Sequence, residues 1–331
     1  RFIHLKNIIL YIIYKMAEDL GETIKKARPN AKDNTIKKYS ADLKKLKKMF
    51  DTDTWDFLDK PDDVKEKLAD KHFTTQRNYF NAVIILLMAL DKKKELIEEY
   101  TDIRDSLNKQ YEDDNATGVI SEKQKANFVK LEEVQKMLNE MDAEIKSKKL
   151  RQKESLLPKE KNLVQTYILF SIYTRLPMRN DVAGMEIITK REYNKLSEEQ
   201  KSSTNYLRLD KGSLKFILND YKTSKKYKEK VLDIPKDLEK LLRFYMRVNK
   251  LEAGDVLFTS GTGKPLTRNA LSQLFIKTSK KYMDKSISTT MIRKIVLSDK
   301  FGGLKEEMEE MANIAGHSTD VMSDVYIKKK A

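Results

Sequence analysis

Two kinds of hydrophobic spacing alternate along this chain, and they divide it. In residues 34–50 the apolar positions Ile36, Tyr39, Leu43, Leu46 and Phe50 recur every three or four residues, with lysines on the other face. That period predicts an amphipathic helix, with Asn34 as its candidate N-cap. Residues 74–90 predict a second, more buried helix and residues 92–110 a third, charged one. No glycine lies between Gly21 and Gly118, so this half is expected to be all helical. The polar run 112–118 ends in glycine and predicts a linker. Beyond it, residues 130–141 predict another amphipathic helix. Residues 162–174 are apolar nearly all round, as a central helix would be. The period then shortens to two. Residues 206–209, 213–219 and 230–234 predict short strands, joined at 210–212 and across the lysine-rich YKTSKKYK of 221–228. Helical signals return from Lys236 onward. The pattern predicts a mainly α fold with a small antiparallel β-sheet. Its expected divisions are an N-terminal extension, 1–16, a helical domain, 17–118, and a second domain, 119–331.

Residues 8–14 (IILYIIY) are apolar, but a bilayer span needs about 20 such residues. Met16 reads like a natural start, and no secretion signal with a small-residue cleavage site is evident.

Charge narrows the function. The 331 residues carry 66 Lys plus Arg against 51 Asp plus Glu, a net charge of +15. That excess suits a polyanion, nucleic acid first and an acidic membrane surface second. Only 13 of those cations are arginine, so each arginine in a motif is informative. The absence of cysteine excludes disulfides, thiolate chemistry and Cys-type zinc sites. With His4, His72 and His317 as the only histidines, a His-rich metal site is disfavoured. A carboxylate Mg²⁺ site stays open.

Five features follow in chain order. Arg179 lies in LPMRNDVAGM after the apolar helix, and Pro177 is a candidate first residue of a new helix. Lys222 lies between two predicted strands, with Lys225, Lys226 and Lys228 nearby. Arg293 lies in STTMIRKIV, where Ser288 is a candidate N-cap and Ile292, Ile295 and Val296 face a core. His317 follows a predicted helix, 304–315, closed by Gly316. Tyr326 ends the run GHSTDVMSDVY, nine residues after His317. Each has an ordinary structural reading by itself.

The order resembles the tyrosine recombinase (phage integrase) family. There an Arg follows a buried helix, a Lys sits on a β-hairpin, His-x-x-Arg opens a helix, and Leu-Gly-His precedes the nucleophilic Tyr by this spacing. The resemblance covers residues 119–327 as the catalytic domain. It extends more loosely to 17–118 as the helical core-binding domain, through TIKKYSADLKKL. This sequence departs from the pattern in three places. Leu-Pro-Met-Arg replaces Gly-Leu-Arg, with Asp181 two residues on rather than three. Thr290 stands where the motif has His. Arg293-Lys294 replaces Arg-His. The first two resemble divergent integrases of large DNA viruses and eukaryotic mobile elements.

The resemblance implies a two-domain, C-shaped DNA clamp and a specific chemistry. Arg179 and Arg293 would hold the non-bridging oxygens of a DNA phosphodiester. His317 would donate a further hydrogen bond, and Thr290 a weaker neutral one. Tyr326 would attack phosphorus, giving a 3′-phosphotyrosine and a free 5′-hydroxyl. Lys222 would protonate the leaving oxygen. No metal, cofactor or ATP is needed. The implied partners are double-stranded DNA and further copies of the chain, as a tetramer on recombining DNA, with no membrane. The implied location is intracellular. A type IB topoisomerase or telomere resolvase would use the same residues. Thr290 and Lys294 also keep open a DNA-binding protein of recombinase descent that no longer cuts.

Overall fold

In a computed structural model of the chain, residues 20–116, 121–316 and 318–323 are described. His317, Tyr326 and the N-terminal extension 1–16 lie outside the described residues. The chain splits into two compact units, Arg1–Ile120 and Ser121–Ala331.

The described part of the first unit is helical throughout: α1 (Leu20–Ala27), α2 (Asp33–Met49), α3 (Pro61–Lys67), α4 (Phe73–Ala89) and α5 (Lys94–Ala116). Helix α2 begins one residue before Asn34, with Lys32 as its N-cap. It buries Ile36, Leu43 and Leu46, the apolar stripe read from the sequence. Helix α4 is the centre of the unit and packs against α1, α2 and α5. His72 caps it, its Nδ1 accepting from the Thr74 amide at 3.3 Å. That employs one of the three histidines in helix capping. Residues 112–116, expected in a linker, are instead the last turn of α5. Glu112, Asp113 and Asp114 are polar because that turn is exposed, and an exposed helix end reads like a loop by composition.

The second unit is built around α7 (Pro158–Arg175), which is buried through its middle from Val164 to Tyr173. Pro158 supplies its first turn, where a missing amide costs nothing. Helices α6 (Leu131–Ser147), α8 (Lys236–Asn249), α9 (Arg268–Met283) and α10 (Thr289–Ala315) pack on it. Phe170 stacks on Phe275 of α9 with ring centroids 4.0 Å apart, and Tyr173 meets the same ring edge-on at 5.0 Å. These contacts fix α9 across the C-terminal end of α7.

A four-stranded sheet flanks the helices: β1 (Glu186–Thr189), β2 (Tyr206–Asp210), β3 (Ser213–Leu218) and β4 (Lys230–Asp233), in that spatial order. The three strands expected from the sequence pair antiparallel, with Tyr206 opposite Ile217 and Phe216 opposite Leu232. The fourth, β1, runs parallel to β2, so the sheet is mixed rather than purely antiparallel. Its two central residues, Ile187 and Ile188, are both buried. Burial on both faces removes the alternation that marks a strand in sequence. A further difference is at α10. The sequence predicts a helix behind Ser288 and a helix over 304–315, and the structure runs one helix of 27 residues through both. Gly316 ends it with φ +71°, the left-handed cap expected there.

Candidate active site

Helix α7 ends at Arg175, and the chain passes Pro177 without starting a new helix. Arg179 is extended (φ −70°, ψ −174°) and precedes a single 3₁₀ turn, Asn180–Val182. This corrects the expectation that Pro177 opens a helix carrying Arg179 in its first turn. The backbone is held instead by a side chain of the core. The Tyr173 hydroxyl donates to the Arg179 carbonyl oxygen at 2.8 Å. Burial raises the Tyr173 phenol above its ordinary range, so it stays protonated and remains a donor.

Arg293 comes from α10. Ser288 caps that helix, accepting from the Met291 amide at 3.2 Å, and Ile292, Ile295 and Val296 are buried as expected. The guanidinium reaches back toward the helix start, where Nη2 donates to Thr290 Oγ1 at 3.1 Å. Long helical side chains point that way. The consequence is a cation near the positive end of a helix dipole, where anions are favoured.

Arg179 and Arg293 are close enough to repel. Burial, and then the charge of Arg179, hold the Arg293 guanidinium below its usual value. Arg293 Nε is a buried donor with no hydrogen-bond partner among the described residues. Buried donors are nearly always paired, so this one is an exception. The counter-charge nearby is Asp181, 6% exposed. Its carboxyl is pushed up by burial, against the pull of Arg268, Arg179 and Arg293. Three guanidiniums, of Arg179, Arg268 and Arg293, therefore face the carboxyl groups of Asp181 and, at Arg268, Asp220, and the cluster carries excess positive charge.

Arg268 is the member that the sequence reading missed. It is the first residue of α9, behind the cap Thr267. Its Nη2 donates to the Asp220 carbonyl oxygen at 2.7 Å and to Asp220 Oδ2 at 3.1 Å, and lies 3.8 Å from Asp181 Oδ1. A signal was present: a cation in the first turn of a helix opposes the dipole and needs a partner to stay.

Hydrogen bonds join the segments that carry the candidate residues. Asn205, 5% exposed, donates to the carbonyls of Asp181 and Asp220 and accepts from the amides of Asn219 and Asp220, at 2.8–3.0 Å. Asn180 donates to the Arg268 carbonyl at 2.7 Å and to Ser272 Oγ at 3.1 Å. Ser272 Oγ in turn lies 3.0 Å from Thr289 Oγ1, at the start of α10. The path thus runs from the β3–β4 connection, through the Arg179 loop and α9, to the helix of Arg293. The individual bonds are worth about 1 kcal/mol each, and breaking one leaves a buried partner unpaired.

Lys222 is exposed and lies in the β3–β4 connection, two residues after Asp220 and ahead of a short helix, Ser224–Tyr227. Thr290 is exposed at the start of α10, where it meets Arg293. The structure therefore brings Arg179, Arg293 and Thr290 into one cluster with Asp181 and Arg268. It ties the Lys222 loop to that cluster through Asp220. No group of three or more His, Asp or Glu among the described residues is placed to hold a metal ion. No described helix is long and apolar enough to cross a membrane.

No family profile and no curated protein matches this sequence. Solved structures do match. One is the XerH site-specific recombinase bound to palindromic difH substrate in a post-cleavage complex. It is 17% identical, with 91% of this chain and 78% of that chain covered and a TM-score of 0.47. Another is the Tn1549 transposon integrase in complex with transposon right end DNA, at 14% identity, 94% of each chain and a TM-score of 0.49. A third is the XerA recombinase, at 13% identity, 95% of this chain and 94% of that chain, with a TM-score of 0.35. The chain is similar to recombinases and an integrase.

Proposed function

We propose that this chain is a site-specific tyrosine recombinase that cuts and rejoins duplex DNA. In this reading the second unit is catalytic, and the first, with its lysine-covered α2, is a DNA-binding domain gripping phosphates. The observation that carries it is the pair Arg179–Arg293: two guanidiniums of different elements, mutually repelling, with a buried Arg293 Nε left without a partner among the described residues. A DNA phosphate supplies the missing acceptors and charge. Attack on it develops further negative charge on the non-bridging oxygens, which a preorganised cationic site stabilises by several kcal/mol.

The chemistry follows from the remaining residues. Tyr326 loses its phenolic proton to solvent and its oxygen forms a bond to phosphorus as the bond to the 5′-oxygen breaks, giving a 3′-phosphotyrosine. His317 donates a hydrogen bond to the phosphate. Lys222 passes a proton to the 5′-oxygen, so that a hydroxyl leaves. Attack by a 5′-hydroxyl reverses the steps and reseals the strand without ATP. Copies of the chain would assemble on the recombining DNA as a tetramer, wherever that DNA lies inside the cell. Integration into, or excision from, a viral genome or mobile element is the role that this chemistry fits.

The test is incubation with a nicked suicide duplex, followed by denaturing electrophoresis. A covalent protein–DNA adduct is expected from the wild type and none from Tyr326→Phe, with duplex binding retained. An adduct from the Phe variant would remove Tyr326 as the nucleophile. Duplex binding without an adduct would favour a protein that binds DNA and no longer cuts.

A further inference from the structure

Resting on the recombinase reading, we infer that Arg268 is a positioning residue for proton donation: it fastens the backbone from which Lys222 reaches the leaving oxygen. Asp220, two residues before Lys222, is held from three directions. Its carbonyl accepts from Arg268 Nη2 at 2.7 Å and from Asn205 Nδ2 at 3.0 Å. Its amide donates to Asn205 Oδ1 at 2.8 Å, and its carboxylate accepts from Arg268 Nη2 at 3.1 Å. The next residue, Tyr221, is 3% exposed, and its hydroxyl donates to the Lys228 carbonyl at 2.7 Å. That bond closes the loop from its far side. Lys222 therefore projects into solvent from a short stretch of backbone fixed both ahead of it and behind it.

The nearby lysines are placed differently. Lys225 and Lys226 belong to the exposed helix Ser224–Tyr227, and Lys226 lies over the Tyr227 ring at 5.2 Å. Lys222 is the lysine beside the Arg268 anchor.

The anchoring is made by one terminal nitrogen of Arg268: Nη2 serves both a carbonyl and a carboxylate oxygen of Asp220 and lies 3.8 Å from Asp181 Oδ1. The Arg268 carbonyl accepts from Asn180 at 2.7 Å, next to Arg179. That contact is made by the main chain, so a change of the Arg268 side chain leaves it in place. The step that depends on it is a single proton transfer. As the bond from phosphorus to the 5′-oxygen breaks, a Lys222 Nζ–H proton passes to that oxygen, leaving a neutral amine and a 5′-hydroxyl.

The experiment compares adduct formation on two suicide duplexes, one with the natural 5′-oxygen at the scissile bond and one with 5′-sulfur. A thiolate leaves without a proton, so sulfur removes the need for the donor. With oxygen, Arg268→Met is expected to be at least about tenfold slower than wild type, below the ~10²–10⁴ that a full general acid supplies. With sulfur it is expected to match the wild type. The double variant Arg268→Met/Lys222→Ala should be no slower than Lys222→Ala alone, and Arg268→Lys should fall between wild type and Arg268→Met. Duplex affinity and thermal midpoint show that each variant is folded. Equal slowing on both substrates, with wild type active, would overturn the role of Arg268, as would additive losses in the double variant. Failure of wild type to form any adduct would overturn the recombinase reading itself, and this inference with it.

Discussion

The Tyr173 hydroxyl donates a 2.8 Å hydrogen bond to the main-chain oxygen of Arg179, so a buried ring of the central helix decides where a surface arginine's backbone lies. Tyr173→Phe keeps the edge-on contact with Phe275 and removes only the donor. We expect a loss of about 1 kcal/mol of stability, as for a single neutral hydrogen bond. Adduct formation should fall more than duplex affinity does, because Arg179 loses its fixed starting point. Calorimetry and the suicide-duplex assay check the two halves. An unchanged adduct rate would show that Tyr173 serves the core alone.

Arg179→Ala and Arg293→Ala should each lower cleavage by orders of magnitude, the scale of losing a preorganised transition-state donor. Affinity for non-specific duplex should fall far less, since many lysines share the phosphate contacts. Parallel losses in rate and affinity would reduce both residues to ordinary phosphate contacts.

A cluster short of negative charge should take up a small anion. Burial and the charge of Arg179 depress the Arg293 guanidinium, so an anion between the two relieves repulsion. Inorganic sulfate at fixed ionic strength, set with chloride, should raise the thermal midpoint. The increment should vanish in Arg293→Ala. A sulfate effect of the same size in that variant would place the binding elsewhere.

Asp181 should make stability depend on pH with an unusual sign. Its carboxyl is raised in the folded state by burial, more than the surrounding arginines lower it. As pH rises from the ordinary carboxylate value of 3.8 toward the raised one, the unfolded chain ionises first, which favours unfolding. Below that window the group has no effect; above it the penalty is complete. The stability of wild type relative to Asp181→Asn should therefore decline across that interval. Denaturant melts at a series of pH values measure it, and a difference that rises with pH would refute the environment described.

Thr290 accepts from Arg293 Nη2 at 3.1 Å. Thr290→Val preserves shape and removes the acceptor, which should cost about 1–3 kcal/mol of transition-state stabilisation through a less fixed guanidinium. Thr290→His should be tolerated. Single-turnover rates decide it; a wild-type rate for the valine variant would leave Thr290 as a helix-start residue only.

The helical half, the buried helix α7 and three strands were legible because each has a clear hydrophobic period. Strand β1 was hidden by burial on both faces at Ile187 and Ile188. The last turn of α5 was hidden by exposure, since Glu112, Asp113 and Asp114 satisfy a solvated helix as well as a loop. Within the site, Arg179, Arg293, Lys222 and Thr290 could be named from motif order. The residues that join their segments could not. Asn180, Asn205, Ser272 and Arg268 act through contacts 14 to 92 residues away in sequence, and no local pattern encodes such partners. Only Arg268 left a trace, as a cation at the wrong end of a helix.

Asn205 spends both lone-pair positions of its amide oxygen and both amide protons on backbone groups. Even a side chain of the same shape cannot stand in for it: in Asn205→Asp the amide becomes a carboxylate, and two donors turn into an acceptor facing two carbonyl oxygens. Nothing would change in size, yet the Asp181 and Asp220 segments would be pushed apart. The seam between these two segments thus rests on the nitrogen of a single buried amide.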